Sequence, residues 1–435
     1  MKPACIRPII LTLLVGWCLA VIHPAGARAS WNAGAARVCI TPEQSMWMAG
    51  YAARTKPAEG KLNDLWVRAL VLDDGRQHRA VVISLDLVGI SRDLAQQLCK
   101  GLKRECGFER SQIALCCSHT HSGPVVGDNL KPLHYAHLDA AGKQLVDQYA
   151  AKLAEEVTRC VKLAVDNSEP CQLSVGSGKC TVAVNRRNNR EPEVTLERSD
   201  DTLKGPVDHD VPVLSVHTTS GVLKAILFGY ACHATVLDGY QWSGDYPGFA
   251  QDALEAAHPG TIAMFWAGCG ADQNPLPRRR VELAQRYGKQ LASAVEAVLA
   301  QSMTPLEGRL ATRFAEIELP LGSLPTRQQL DVEARSDNKY YAARAKMLLE
   351  QIEAGKPLAT TYPYGIGVWH LGNDIQFVFL GGEVVVDYAI RLKAELSDSH
   401  TWVAGYANDV MAYIPSRRVL REGGYEGAGA MVYYG

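Results

Sequence analysis

Two periodicities alternate along this chain. Short runs dominated by Val, Ile, Leu and Phe occur at Ala80–Val88, Ile113–Cys117, Val211–His217, Leu223–Cys232, Thr261–Ala267 and Ile375–Leu380. Apolar runs of this length, with little polar alternation, predict strands buried on both faces. Between them, apolar positions recur every three or four residues. In Leu145–Val165 they are Leu145, Tyr149, Leu153, Val157, Cys160 and Ala164, and in Val281–Leu299 they are Ala284, Tyr287, Leu291, Val295 and Leu299. That period predicts amphipathic helices. A more charged pattern over Arg327–Glu353 predicts a third helix, on the surface. Strands separated by helices predict an α/β fold, a mixed and largely buried sheet covered by helices, in one domain over residues 30–435. In such sheets ligands collect beyond the carboxyl ends of the strands.

Polar residues stand at those ends. His119 and His121 follow Ile113–Cys117 in the stretch "CCSHTHSGP", and His233 follows Leu223–Cys232. The turn Gly268–Pro275, "GCGADQNP", follows Thr261–Ala267, and Gly381-Gly382-Glu383 follows Ile375–Leu380 and opens an amphipathic helix. Tyr413 lies in Tyr406–Arg418, "YANDVMAYIPSRR". Singly, each has a structural explanation: a hydrogen-bonded histidine at a strand end, a carboxylate favoured by a helix dipole, a packed tyrosine. In an extended H-x-H segment both side chains share a face, so two imidazoles can converge on one site. Two histidines, one carboxylate and an open position form the usual set for a catalytic zinc that activates water. A spare histidine beside it can carry protons.

The N-terminus changes the picture of where the chain works. Lys2 and Arg7 precede an apolar run from Ile9 to Ile22, and Ala27-Arg28-Ala29 offers a cleavage site. This predicts a signal peptide over residues 1–29 and an exported protein, periplasmic or secreted. Loss of that segment removes Lys2, Arg7 and Arg28 and no acid, leaving 42 basic against 46 acidic residues. With no basic patch, nucleic acid is excluded as a partner. Ten of the 12 cysteines remain, since Cys5 and Cys18 leave with the signal. An oxidising compartment makes Cys99/Cys106 and Cys171/Cys180 candidate disulfides. Asp208-His209-Asp210 leads into a strand, which predicts a turn or strand cap instead of a metal cluster. Asp86 sits near the end of "VISLDLV", either orienting a ligand histidine or capping the sheet edge. No G-x-S-x-G elbow or phosphate loop occurs.

The segment "SHTHSGP" resembles the signature of the neutral (non-lysosomal) ceramidases, zinc amidases that cleave ceramide into sphingosine and a fatty acid. The similarity continues through Val184-Asn185-Arg186, "FGYACHAT", "SGDYPGFA", the "GGE" strand end and "AYIPSRRVLREGGYEG", over about Ala33 to Gly435. The resemblance implies zinc held by His119, His233, Glu383 and Tyr413, with His121 handling protons. It implies that Arg186 stabilises the oxyanion, the structural alternative being a surface charge in a basic loop. Two features depart from the family. Its G-D-V-S-P-N segment carries a catalytic serine, whereas "GCGADQNP" has none, which leaves supporting roles to Asp272 and Asn274. Its C-terminal immunoglobulin-like domain is also unmatched. The substrate implied is a small-molecule or lipid amide, which would bring peripheral membrane contact, with no obligate protein partner. The alternatives are a zinc hydrolase of another bond (an N-acyl sugar, a phosphate or sulfate ester) and a non-catalytic relative that binds lipid or glycan.

Overall fold

The predicted apolar runs become the inner strands of a layered α/β molecule. The structure, a computed structural model, describes Met1, residues 31–397 and residues 400–435. The expected signal segment therefore lies, Met1 aside, outside the described residues.

A large mixed sheet is built from Trp31–Cys39 (β1), Trp66–Asp73 (β2), Arg79–Leu85 (β3), Ile113–Cys117 (β4), Glu169–Lys179 (β5), Asp210–Thr218 (β6), Leu223–Tyr230 (β7) and Ile262–Ala267 (β8). Its order is β8-β7-β6-β5-β1-β2-β3-β4, and Thr304–Pro305 pairs with β5. The pairs β7/β8 and β3/β4 are parallel, and the other neighbours on this path are antiparallel. The sheet curls until Ser84 Oγ on β3 donates to the Phe265 carbonyl on β8 at 2.5 Å. A second sheet runs Leu310–Pro320 (β9), Thr361–Leu371 (β10), Ile375–Leu380 (β11) and His400–Ala404 (β12), in that order.

Two apolar layers hold these sheets in place. On one face of the large sheet lie Arg92–Cys106 (α1), Ala140–Asp166 (α2), Asp245–Ala257 (α3) and Val281–Leu299 (α4). Their stripes, with Leu98, Val157, Leu254 and Leu291, pack with Val67, Ile83, Leu115 and Phe228 of the strands. The opposite face, with Leu70, Val82, Leu214, Leu227 and Trp266, meets Trp369, Phe377, Phe379 and Trp402 of the second sheet. Burying each such large side chain contributes roughly 2–3 kcal/mol. A helix at Val386–Glu395 covers the outer face of the second sheet, where Ala389 joins Val378, Leu380 and Val403. The result is four layers, helix–sheet–sheet–helix.

Two expectations need correction, and three strands lie outside the predicted runs. The helix predicted over Arg327–Glu353 is two, Arg327–Glu333 and Lys339–Glu353. It breaks where the Asn338 side chain turns back to accept from Tyr340 N at 3.0 Å, a cap that competes with continuing the helix. The candidate disulfides are absent: all ten described cysteines are free. Cys99 and Cys106 lie two turns apart along α1, and Cys171 lies near the start of β5 while Cys180 directly follows its end, too far apart to bridge. Finally, β1, β5 and β9 carry polar residues, including Asn32, Gln172 and Glu316, among their apolar ones, so they escape a search for continuous apolar runs. Among the described residues no helix is long and apolar enough to cross a membrane.

Candidate metal centre

His119 follows β4 directly, at a left-handed φ of 60° that turns the chain at the strand end. Its ring stacks on Tyr406, itself at φ 51°, with centroids 4.2 Å apart. Left-handed backbone at two bulky residues in contact marks a local conformation imposed by its surroundings. His119 Nδ1 lies 2.6 Å from the Val88 carbonyl. His233 follows β7, and its Nδ1 lies 2.7 Å from the Gly270 carbonyl. Gly270 is required there: a Cβ would stand 2.7 Å from Cys232 N. Glu383 follows β11 through Gly382, at φ 73°, a turn that favours glycine. Glu383–Val384 then pairs in parallel with Tyr413–Ile414, and the register puts Glu383 opposite Tyr413.

These contacts fix which ring atoms face inward. A carbonyl only accepts, so Nδ1 of both His119 and His233 carries the proton and Nε2 is left as the inward atom. Glu383 Oε2 lies 3.3 Å from His119 Nε2 and 3.1 Å from His233 Nε2. His121 Nε2 is 3.1 Å from His119 Nε2, and the Tyr413 hydroxyl is 3.5 Å from His233 Nε2. Donor atoms of His119, His121 and His233 all lie within 4.8 Å of one another. Burial, reinforced by the charge of Arg186, pulls His233 down to about 4. Desolvation and the two neighbouring imidazoles also hold the half-buried His121 well below the usual histidine range. Burial alone pushes the Glu383 carboxyl up, but the two histidines outweigh it and keep it ionised, well below the usual carboxylate range. The Glu383 oxygen and the two Nε2 atoms need a proton or a metal cation between them, and the donor set suits a divalent metal.

Arg186 is no surface charge. Its Nη2 donates to the Tyr413 hydroxyl at 3.1 Å, Nη1 to Asn274 Oδ1 at 3.2 Å and Nε to Glu426 Oε1 at 2.7 Å. Burial works against its charge, but Tyr413 and Glu426 outweigh it and raise the guanidinium further. Asn274 therefore supports Arg186. Asp272 supports Glu383 from behind: its Oδ1 accepts from Val386 N at 2.9 Å, at the start of the helix that follows Glu383. Asp86 departs from the orienting role, since the acceptors behind the two histidines are main-chain carbonyls. It accepts from Trp66 N at 3.0 Å and from Arg68 Nη1 at 3.1 Å, a cap and buried ion pair at the sheet edge. Burial pushes the Cys269 thiol far up, so it supplies no nucleophile. Lys393 bridges Asp208 and Asp210, which accords with a strand cap at β6.

Reading the sequence misses four aromatic or acidic partners. Tyr406 backs His119, Tyr51 lies against His121 with centroids 4.8 Å apart, Glu426 holds Arg186, and the Tyr434 hydroxyl donates to Glu383 Oε1. Glu426 falls inside the recognised "YEG" stretch, whereas Tyr51 and Tyr434 carry no local signal.

The turn that delivers Glu383 rests on a second buried acid. Asp409, which accepts from the Tyr362 hydroxyl at 2.8 Å, gives its carbonyl to Gly382 N, also at 2.8 Å. Burial raises its carboxyl to about 6. A raised folded-state value means the native protein holds that proton more tightly than the unfolded chain, so its stabilising effect is complete below about pH 4 and is lost as pH rises through 6. Asp409→Asn should match the wild type near pH 4 and exceed it at pH 8 by on the order of 2–3 kcal/mol. Urea denaturation at both pH values checks this; equal differences at the two would refute it.

A buried cluster of imidazole, carboxylate and phenol donors at the strand-end rim of a mixed α/β fold defines a candidate metal centre. The chain belongs to the neutral/alkaline non-lysosomal ceramidase family, whose N-terminal model matches residues 31–269. Similar curated proteins are the neutral ceramidase of Drosophila pseudoobscura pseudoobscura, 26% identical over 57% of this chain, and that of Pseudomonas aeruginosa, 24% identical over 71% of it. The matches span only 36% and 48% of those relatives. Among solved structures, the neutral ceramidase from Pseudomonas aeruginosa aligns at TM-score 0.70 and 19% identity, over 92% of this chain and 71% of that one. A ceramidase complexed with C2 aligns at 0.72 and 17%, over 93% and 72%. At these identities the structural likeness establishes the fold.

Proposed function

We propose that this chain is an exported zinc-dependent amidase of ceramide-like N-acyl lipids, with residues 30–435 as its catalytic domain. One observation carries the reading: a Glu383 oxygen within 3.3 Å of both His119 Nε2 and His233 Nε2, a convergence of donors that suits a divalent metal. His119, His233 and Glu383 would hold the metal, with the Tyr413 phenol as fourth donor. Zinc bound there supplies Lewis acidity, bringing the pKa of coordinated water to about 7. His121, neutral and with Nε2 facing the cluster 3.1 Å from His119 Nε2, takes the proton of the attacking water and returns it to the leaving nitrogen. Arg186, fixed by Glu426 and Asn274, faces the charge that develops on the carbonyl oxygen. This scheme needs no serine in "GCGADQNP". That the named relatives are neutral ceramidases supports a lipid amide as substrate.

The test is metal analysis of the purified mature chain together with release of fatty acid from ceramide. The expected result is about one zinc per chain and release that stops on chelation and returns with zinc. Bound zinc without release, alongside turnover of another substrate in a panel of amides, phosphate esters and sulfate esters, would move the assignment to that bond. Absence of any bound metal would end it.

A further inference from the structure

The last turn of the described chain reaches into the centre. Gly429–Tyr433 forms a short 3-10 turn with Ala430 and Val432 buried, and Tyr433 packs edge-on against Tyr340 of the Lys339–Glu353 helix. Upstream, Glu426 is clamped by Arg186 at 2.7 Å and by Arg187 Nη1 at 2.5 Å. Tyr434 is therefore delivered by a packed segment. Its ring lies against Tyr413, with centroids 6.4 Å apart, and its hydroxyl donates to Glu383 Oε1. The two carboxylate oxygens thus have separate duties. Oε2 faces the imidazoles of His119 and His233, while Oε1 is turned away and occupied by a phenol.

We propose that Tyr434 is a positioning residue for Glu383: by holding Oε1 it fixes the carboxylate as a one-oxygen ligand and keeps a coordination place open. The proposal rests on the metal reading above. Without the phenol, the carboxylate is free to rotate and offer both oxygens to the metal, which fills the place that water or the amide carbonyl needs. The hydrogen bond also orders Glu383 before metal arrives, so affinity depends on it. Phenylalanine retains the ring and its packing against Tyr413 and removes only the donor.

The experiment compares wild type, Tyr434→Phe and Tyr433→Phe, using zinc and cobalt(II) alone as probes. Zinc affinity is read by competition with a chromophoric chelator, and coordination by the visible bands of bound cobalt, which weaken as coordination number rises. Tyr434→Phe should bind zinc about 10–100-fold more weakly, show weaker cobalt bands, and lower kcat with KM little changed. Tyr433→Phe, which keeps the contact to Glu383, should match the wild type in all three. Equal zinc affinity and identical cobalt spectra for wild type and Tyr434→Phe would overturn the proposal and leave the metal site standing. A loss in Tyr433→Phe equal to that in Tyr434→Phe would overturn it too, assigning the effect to packing of the segment. A wild-type chain that binds neither metal overturns this proposal and the metal reading together.

Discussion

Replacing His119 by asparagine should strip the chain of bound metal and of turnover together, without unfolding it. The choice of asparagine follows from the backbone. His119 sits at φ 60°, where alanine is strained by roughly 1–2 kcal/mol while asparagine is at ease. Alanine would also leave the buried Val88 carbonyl without the partner it now has at 2.6 Å, a further cost of about 1–3 kcal/mol. An asparagine amide can still donate to that carbonyl but does not reach the position of Nε2, so only the inward donor is lost. Loss of an outer partner of a metal ligand costs ~10–100-fold, and loss of the ligand itself should exceed that. The comparison to make is zinc content, fatty-acid release and thermal midpoint for His119→Asn and His119→Ala side by side. Both should be metal-free and inactive, with only the alanine variant clearly destabilised beyond the loss of metal. A metal-replete, active His119→Asn would remove His119 from the ligand set.

The second large effect is expected at Arg186. The guanidinium serves three acceptors at once, Glu426, Asn274 and the Tyr413 hydroxyl, through three different nitrogens. Lysine preserves the charge but offers a single point, so it cannot span them. Both Arg186→Met and Arg186→Lys should therefore lower kcat/KM by ~10²–10³-fold, the scale for removing one oxyanion donor. Zinc affinity should fall by no more than ~10–100-fold, because Arg186 reaches the proposed ligands only through its hydrogen bond to the Tyr413 hydroxyl. Arg186→Met also leaves Glu426, 5% exposed, with only Arg187 as its ionic partner. Stability should fall for that reason, and Arg186→Met/Glu426→Gln should recover much of it while remaining inactive. Recovery of turnover in the double variant, or a loss below tenfold in both single variants, would make Arg186 a structural residue.

How far the sequence reaches depends on the kind of pattern each element leaves. Val281–Leu299 is legible to the residue because its apolar positions return on one helical face, and that face is the buried one. Ile113–Cys117 is legible because an uninterrupted apolar run fits only a strand covered on both sides. By contrast, Trp66–Asp73 holds Arg68 within a central strand, buried because Asp86 and Glu255 lie near it in space. The break between residues 333 and 339 depends on a side-chain cap, a choice that averages over a helical window conceal.

Within the candidate centre, chain order alone placed His119, His233 and Glu383 after strand ends, because a sheet gathers ligands at that rim. It could not show that a carbonyl behind each imidazole, from Val88 or Gly270, settles which nitrogen faces inward. Nor could it show that a two-residue parallel pairing sets Tyr413 beside Glu383, or that Tyr434 bonds to the far oxygen of that carboxylate. Local sequence determines which segments bury themselves, since burial follows from residue type and period. The convergence of donors from positions 119, 233, 383 and 413 is decided only when the sheet curls and its crossovers close, because register and strand order are properties of the whole packed chain.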